Sequence, residues 1–224
     1  MNLLSVNVGL PRTVIWREQE VRTGIFKQAV TGRVPVQAVN LQGDGQADLT
    51  VHGGPDKSVY CYAFEHYDYW SQQLPGWPLE PGVFGENLTT VGLPEESVHI
   101  GDRFRVGTAE LVVTQPRLPC FKLGLRFQSE DMVQRFLAAG RMGFYVTVAK
   151  EGELGAGDRI EVVSRDPDAL GVSEVLPLHV VRHYGPAEAQ LARRALQVKA
   201  LARSWKEHLT RKLAAIESET TSDL

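Results

Sequence analysis

The chain changes character once, at Arg165-Asp166-Pro167. Before that point β-branched and aromatic residues come in short stretches separated by glycine turns, which is the pattern of strands. After it, apolar residues recur at helical spacing. A run of strands followed by a run of helices limits the fold to a mainly β, α+β arrangement. Strands are expected at 3–8, 34–41, 102–106, 109–114, 144–149 and 158–164. Two phrases read alike, Ile100-Gly101-Asp102-Arg103-Phe104-Arg105-Val106 and Ala156-Gly157-Asp158-Arg159-Ile160-Glu161-Val162. Each is a Gly-Asp turn that launches a strand, and such launches suit a β-barrel.

Two helical insertions are expected inside this body. One covers 62–74 and stops before Pro75-Gly76. The other covers 129–139, with Ser129 as N-cap and Gly140 as the stop. The aromatic residues Tyr60, Tyr62, Phe64, Tyr67, Tyr69 and Trp70 are expected to pack together rather than form a ligand platform. Beyond residue 165, helices at 173–181, 186–198 and 200–216 form a small three-helix bundle, with Pro186 at a first helical position. Residues 1–165 then make a barrel domain. Residues 166–224 make a helical domain whose polar tail, from 218, is expected to fray. The bases Arg193, Arg194, Lys206, Arg211 and Lys212 fall on polar faces without a groove-sized stripe, which speaks against a DNA reader.

The chain has 224 residues, 43% of them hydrophobic, and this supplies a sizeable core. Its net charge of -3 excludes a molecule-wide electrostatic grip on nucleic acid. Cys61 and Cys120 are its two cysteines. This is no disulfide scaffold and suits a reducing compartment, although the sequence leaves a Cys61–Cys120 bridge open. The first residues read as a strand, not a signal peptide. No apolar run approaches the roughly 18 residues of a membrane span. The expectation is a cytoplasmic protein.

Four stretches carry chemistry. Cys120 lies in Gln115-Pro116-Arg117-Leu118-Pro119-Cys120-Phe121-Lys122-Leu123. Two prolines stiffen the approach, and flanking Arg117 and Lys122 favour the thiolate, the form that attacks electrophiles or binds metals. The stretch from Gly43 to Lys57 holds His52-Gly53-Gly54-Pro55-Asp56-Lys57. Its glycines let backbone amides approach an anion, and His52 and Lys57 add a titratable ring and a cation. Arg22-Thr23-Gly24-Ile25-Phe26-Lys27 offers hydroxyl, amide and base close together. Phe84-Gly85-Glu86-Asn87-Leu88-Thr89 offers Asn87, which both donates and accepts. Zinc spacings, a Walker loop, a nucleophile elbow and the dinucleotide fingerprint are all missing.

Taken in this order and spacing, the four stretches resemble those of MOSC-domain proteins, whose fold is shared with the C-terminal part of molybdenum cofactor sulfurases. The helical C-terminus, with Leu201-Ala202-Arg203-Ser204-Trp205, resembles the appendage of the YiiM-like branch. The resemblance covers nearly the whole chain. It implies a β-barrel with helical additions and a site for the molybdenum cofactor, a phosphate-bearing pterin dithiolene. It also implies reduction of N-hydroxylated compounds, such as hydroxylaminopurine bases, to amines. Cys120 aligns with the motif cysteine and would be the thiolate ligand of molybdenum. Thr23, Lys27, His52, Lys57, Asn87, Arg117 and Lys122 are candidates for holding the cofactor, and His52 or Asp56 for relaying a proton. The chain has no flavin or iron–sulfur motif, so electrons are expected from an outside reductase. Two other readings stay open: sulfur transfer through a Cys120 persulfide, and a protein that only binds and carries the cofactor. An exposed side of the helical appendage suits a homodimer.

Overall fold

The computed structural model describes residues 1–47 and 54–222, with side chains as far as 216. The strands are β1 (Asn2–Val8), β2 (Arg12–Trp16), β3 (Gln19–Thr23), β4 (Gln28–Val30), β5 (Val34–Gln37), β6 (Asn40–Leu41) and β7 (Val59–Ala63). They continue with β8 (Leu88–Val91), β9 (Arg103–Val106), β10 (Ala109–Pro116), β11 (Phe144–Lys150), β12 (Gly152–Leu154) and β13 (Ile160–Ser164). The helices are α1 (Glu65–Gln73), α2 (Phe121–Phe127), α3 (Met132–Ala139), α4 (Val172–Val175), α5 (Pro177–Val180), α6 (Pro186–Gln197) and α7 (Arg203–Ser222).

Eight strands form one sheet in the order β13-β9-β10-β11-β7-β8-β1-β4. Its pairings are antiparallel except β7 with β8. The sheet curls until its far sides meet. The Leu3 N–H donates to the Asp158 carbonyl at 2.8 Å, and the Ile160 N–H donates to the Met1 carbonyl at 2.9 Å. These bonds form a seam, not a full ladder, so the expected barrel is an incompletely closed one. The strands β12, β5 and β6 form a small second sheet, and β2 with β3 forms a separate hairpin.

Two apolar clusters hold this arrangement. The larger runs from Leu3, Leu88, Val113 and Phe144 in the strands to Ala192, Trp205, Leu209 and Leu213 in the C-terminal helices. The smaller is aromatic and joins Tyr60, Tyr62, Tyr67, Trp70, Phe84, Phe127 and Phe136. Trp70 and Phe136 stack at 5.2 Å between centroids. The expected packing role of the aromatic residues therefore holds, with Phe64 left half-exposed.

Several expected boundaries move. The strand at 34–41 is two strands, β5 and β6, folded into a hairpin. The helix expected from residue 62 begins at Glu65, because Tyr62 and Ala63 complete β7. All five β7 residues are buried, and a strand covered on both faces shows no alternation to read. Asp131, not Ser129, occupies the N-cap of α3, and the Ser129 hydroxyl donates to the Asp131 carboxylate. The helix expected at 173–181 breaks into α4 and α5, with Pro177 opening the second. The tail from 217 onward lies outside the residues whose side chains are described.

Candidate active site

Segments on either side of the aromatic cluster converge on one cavity. Its walls include Thr23, Gly24 and Lys27 from the end of β3, Asp44 to Ala47, Lys57, Asn87 before β8, and Arg117, Cys120 and Lys122 after β10. Of the residues expected from sequence, Thr23, Lys27, Lys57, Asn87, Arg117, Cys120 and Lys122 come together here. His52 lies outside the described residues. Asp56 is not on the cavity wall. Its carboxylate accepts the Arg203 N–H at 3.0 Å.

The walls touch closely. A Cβ on Gly24 would stand 2.6 Å from the Gly45 carbonyl oxygen, so only glycine fits there. Gly85 has φ +86 and faces Ile25, where a Cβ would come within 2.9 Å of Cγ1. Gln46 clips the loop that leads to Lys57. Its side chain accepts from the Gly54 N–H at 2.9 Å and donates to the Lys57 carbonyl at 3.1 Å.

Two of the candidate polar groups are already satisfied inside the protein. The Lys27 ammonium pairs with the Asp44 carboxylate, and both are buried. Burial lowers the Lys27 pKa, with Asp44 opposing the shift. Asn87 donates to Asp44 Oδ2 at 2.9 Å and to the Asn7 carbonyl at 3.2 Å, and accepts the Tyr60 N–H at 3.1 Å. Asn87 thus ties three cavity-forming segments together. Glu86 next to it, which the motif reading passed over, anchors the same loop. It is fully buried and accepts from the Gly82 N–H, the Phe84 N–H, the Thr89 hydroxyl and the Tyr67 hydroxyl.

Arg117 is different. It is 5% exposed, and its Nη1 is buried without a hydrogen-bond partner. Its guanidinium lies 5.1 Å from the Phe136 ring centroid and 5.4 Å from that of Tyr60. Among the described residues it forms no ion pair with a carboxylate. A buried charge normally has a counter-charge, and Arg117 is among the residues that line the cavity. Burial lowers the pKa of Lys57 on the same wall, with Asp56 and Cys120 opposing that shift.

Cys120 stands at the N-cap of α2 in extended backbone, φ -130 and ψ 172, and is partly exposed. Its segment continues from Pro116, the last residue of β10, and the Arg117 N–H is bonded to the Gly143 carbonyl at 3.1 Å. Cys61 is also a free thiol, but it is buried in β7 and burial pushes its pKa far up. Only Cys120 is placed for chemistry. Among the described residues no three His, Cys, Asp or Glu side chains converge as a metal cage. A metal at Cys120 would need most of its ligands from a bound group.

A convergent cavity with one partly exposed thiol and a buried arginine thus opens beside a curled β-sheet. Residues 48–161 match the MOSC domain family, and the chain belongs to it. It is 38% identical over 211 residues to YflK of Bacillus subtilis, covering 94% of each chain. It is 36% identical over 185 residues to YiiM of Escherichia coli, covering 82% of this chain and 81% of YiiM. A protein named reductase from Gibberella moniliformis is 36% identical over 149 residues, which are 65% of this chain and 26% of that one. The crystal structure of YiiM from Geobacillus stearothermophilus superposes with a TM-score of 0.80 at 32% identity, covering 95% of this chain and 98% of that one. The C-terminal helices match the region expected from the resemblance. Among the described residues no helix is long and apolar enough to cross a membrane.

Proposed function

We propose that this protein is a molybdenum-cofactor-dependent reductase that converts N-hydroxylated compounds to amines. The observation that carries the reading is Arg117, a buried cation with an unpartnered Nη1, which lines the same cavity as Cys120. That environment fits an anionic, phosphate-bearing group with a soft metal. When bound, the molybdenum cofactor supplies the two-electron reduction that cleaves the N–O bond. The protein does the rest. Cys120 holds the metal through its thiolate, a soft ligand suited to a metal that changes oxidation state. Arg117, Lys57 and Lys122 bind the cofactor's anionic part by charge-assisted hydrogen bonds. Lys27 and Asn87, both locked to Asp44, keep the walls in register, and the Thr23 hydroxyl accepts the Ile25 N–H at 3.2 Å to shape the turn beside them. Asp56 is committed to α7, so proton delivery falls to His52 or to water. A separate reductase delivers the electrons.

The test is metal analysis of protein made in a cofactor-competent host, beside its Cys120→Ala variant. The expected result is molybdenum stoichiometric with the chain, retained through the thiol, and turnover of a hydroxylamine with a supplied reductase that C120A abolishes. Metal-loaded protein that never turns over would leave a cofactor carrier. A persulfide on metal-free protein would point to sulfur transfer.

A further inference from the structure

Arg12 and Arg126 are two cations that do not line the cavity. Both reach the ring of Phe26, which stands between the wall residues Ile25 and Lys27. The Arg12 guanidinium carbon is 3.7 Å from the ring centroid, and that of Arg126 is 5.4 Å from it. The backbone fixes both positions. Arg12 begins β2 opposite Thr23. Pro11 before it packs so closely on Gly45 that a Cβ there would stand 2.5 Å from the Pro11 Cδ. Arg126 lies one helical turn beyond Lys122 in α2, so the two share a face.

Two like charges on one ring are unfavourable without a third partner. An aromatic face attracts a guanidinium, but it supplies no oxygen acceptor for the five N–H donors. Among the described residues neither arginine forms an ion pair with a carboxylate. The Arg126 Nε is buried and has no hydrogen-bond partner. Burial lowers the Arg126 pKa, Arg12 lowers it further, and Glu86 and Glu80 oppose the shift. Both cations are therefore close enough to repel, and one of them is partly desolvated. An anion that meets Arg126 does so through its Nη atoms, since Nε is covered.

We propose that Arg12 and Arg126 form a clamp for a phosphate group, outside the cavity and at the edge of the Phe26 ring. Guanidinium forks pair with phosphate oxygens, and a dianion offsets both charges at once. The group is inorganic phosphate or the phosphate end of a larger monoester. The clamp does not rest on the proposed function, because it uses neither Cys120 nor any residue of the cavity wall.

The probe is inorganic phosphate, titrated into the full-length, metal-free chain at pH 7, with sodium chloride of equal ionic strength as control. The readout is the arginine Nε–H signals in NMR spectra. The signal absent from Arg126→Gln belongs to Arg126. Phosphate should shift it saturably, and chloride should not. Arg12→Gln should weaken phosphate by about tenfold or more, the scale of a lost hydrogen bond between charged groups. Arg12 is exposed, so R12Q should fold, and circular dichroism checks it. Arg117→Met should leave the titration of the Arg126 signal unchanged. No saturable shift in the folded wild-type chain, equal affinity in R12Q, or loss of the shift in R117M overturns the proposal, the last by placing the ion in the cavity. Methyl phosphate separates the two sources. If it binds as well as phosphate, the clamp takes a phosphate carried on a larger molecule. If only the inorganic ion binds, the clamp takes the free ion.

Discussion

The Asp56 carboxylate accepts the backbone N–H of Arg203 at 3.0 Å, so the loop beside the cavity caps the first turn of α7. Two neighbouring bonds reinforce the joint. The Ala202 N–H donates to the Thr114 carbonyl at 3.1 Å, and the Thr114 hydroxyl donates to the Asp56 carbonyl at 2.7 Å. Ser204 and Trp205 follow at once and form one side of a second cavity, which shares Cys120 with the first. Replacing Asp56 by Ala removes a cap and a negative charge at a helix N-terminus, a loss of about 1 kcal/mol. Asp56→Asn, which keeps an acceptor, should lose less. Urea unfolding gives the magnitude, and hydrogen exchange should show the α7 amides opening faster in D56A.

Arg117→Met separates binding from folding. The guanidinium is buried without a carboxylate partner, so removing it removes a desolvation cost along with two ring contacts. The metal-free variant should be at least as stable as wild type. Molybdenum retention after gel filtration should fall to near zero. A large loss of apoprotein stability with full retention of metal would contradict the role given to Arg117.

Gly24→Ala should fail differently. The added Cβ meets the Gly45 carbonyl oxygen at 2.6 Å, and both contacting atoms belong to backbone segments of the cavity wall. Overpacking of this kind costs about 1–3 kcal/mol. Thermal unfolding should show the loss, and metal content should drop with it because the two walls are pushed apart.

Acid should loosen the helical side of the molecule. His179 titrates near 4 in the folded chain and near 6.5 when unfolded. Between those values the unfolded chain binds the extra proton. The stability His179 contributes is complete above pH 6.5 and is lost as pH falls towards 4. His208, Lys212 and Lys57 all face it and all oppose its protonation. The size of the loss is modest because His179 is open to water on one side. An NMR titration should place its midpoint near 4, and the urea midpoint of His179→Gln should change less between pH 6.5 and 4 than that of wild type.

Much of this arrangement was legible beforehand, and the misses have physical reasons. The Cys120 segment was readable because prolines and flanking bases are local signals. The β2–β3 hairpin was not, because its turn puts Arg17 at φ 51 and Glu18 at φ 61. Such turns normally announce themselves with Asn or Gly, and neither is present. The β7 strand hid inside an aromatic run that looked helical, since burial on both faces erases its period. Lys27 and Asn87 both line the cavity, but their partner Asp44 is distant in sequence from Asn87, and only the fold brings the three together. The second cavity was invisible, because it exists only where α7 lies against the end of β10.

The seam between Met1–Leu3 and Asp158–Ile160 has a consequence for how the chain is made. The first residues leave the ribosome long before their partners exist. Until residues 158–160 arrive, the first residues of β1 have no partner on that side, where β4 pairs only Val6–Val8, and apolar Leu3 has no closed core to enter. Closure must bring opposite ends of the strand-rich body together, a slow step with a large loop-entropy cost. An open edge during that wait invites pairing with a neighbouring chain. Changes at the seam will therefore show first in soluble yield and in its dependence on synthesis rate and temperature, before any effect on the finished protein.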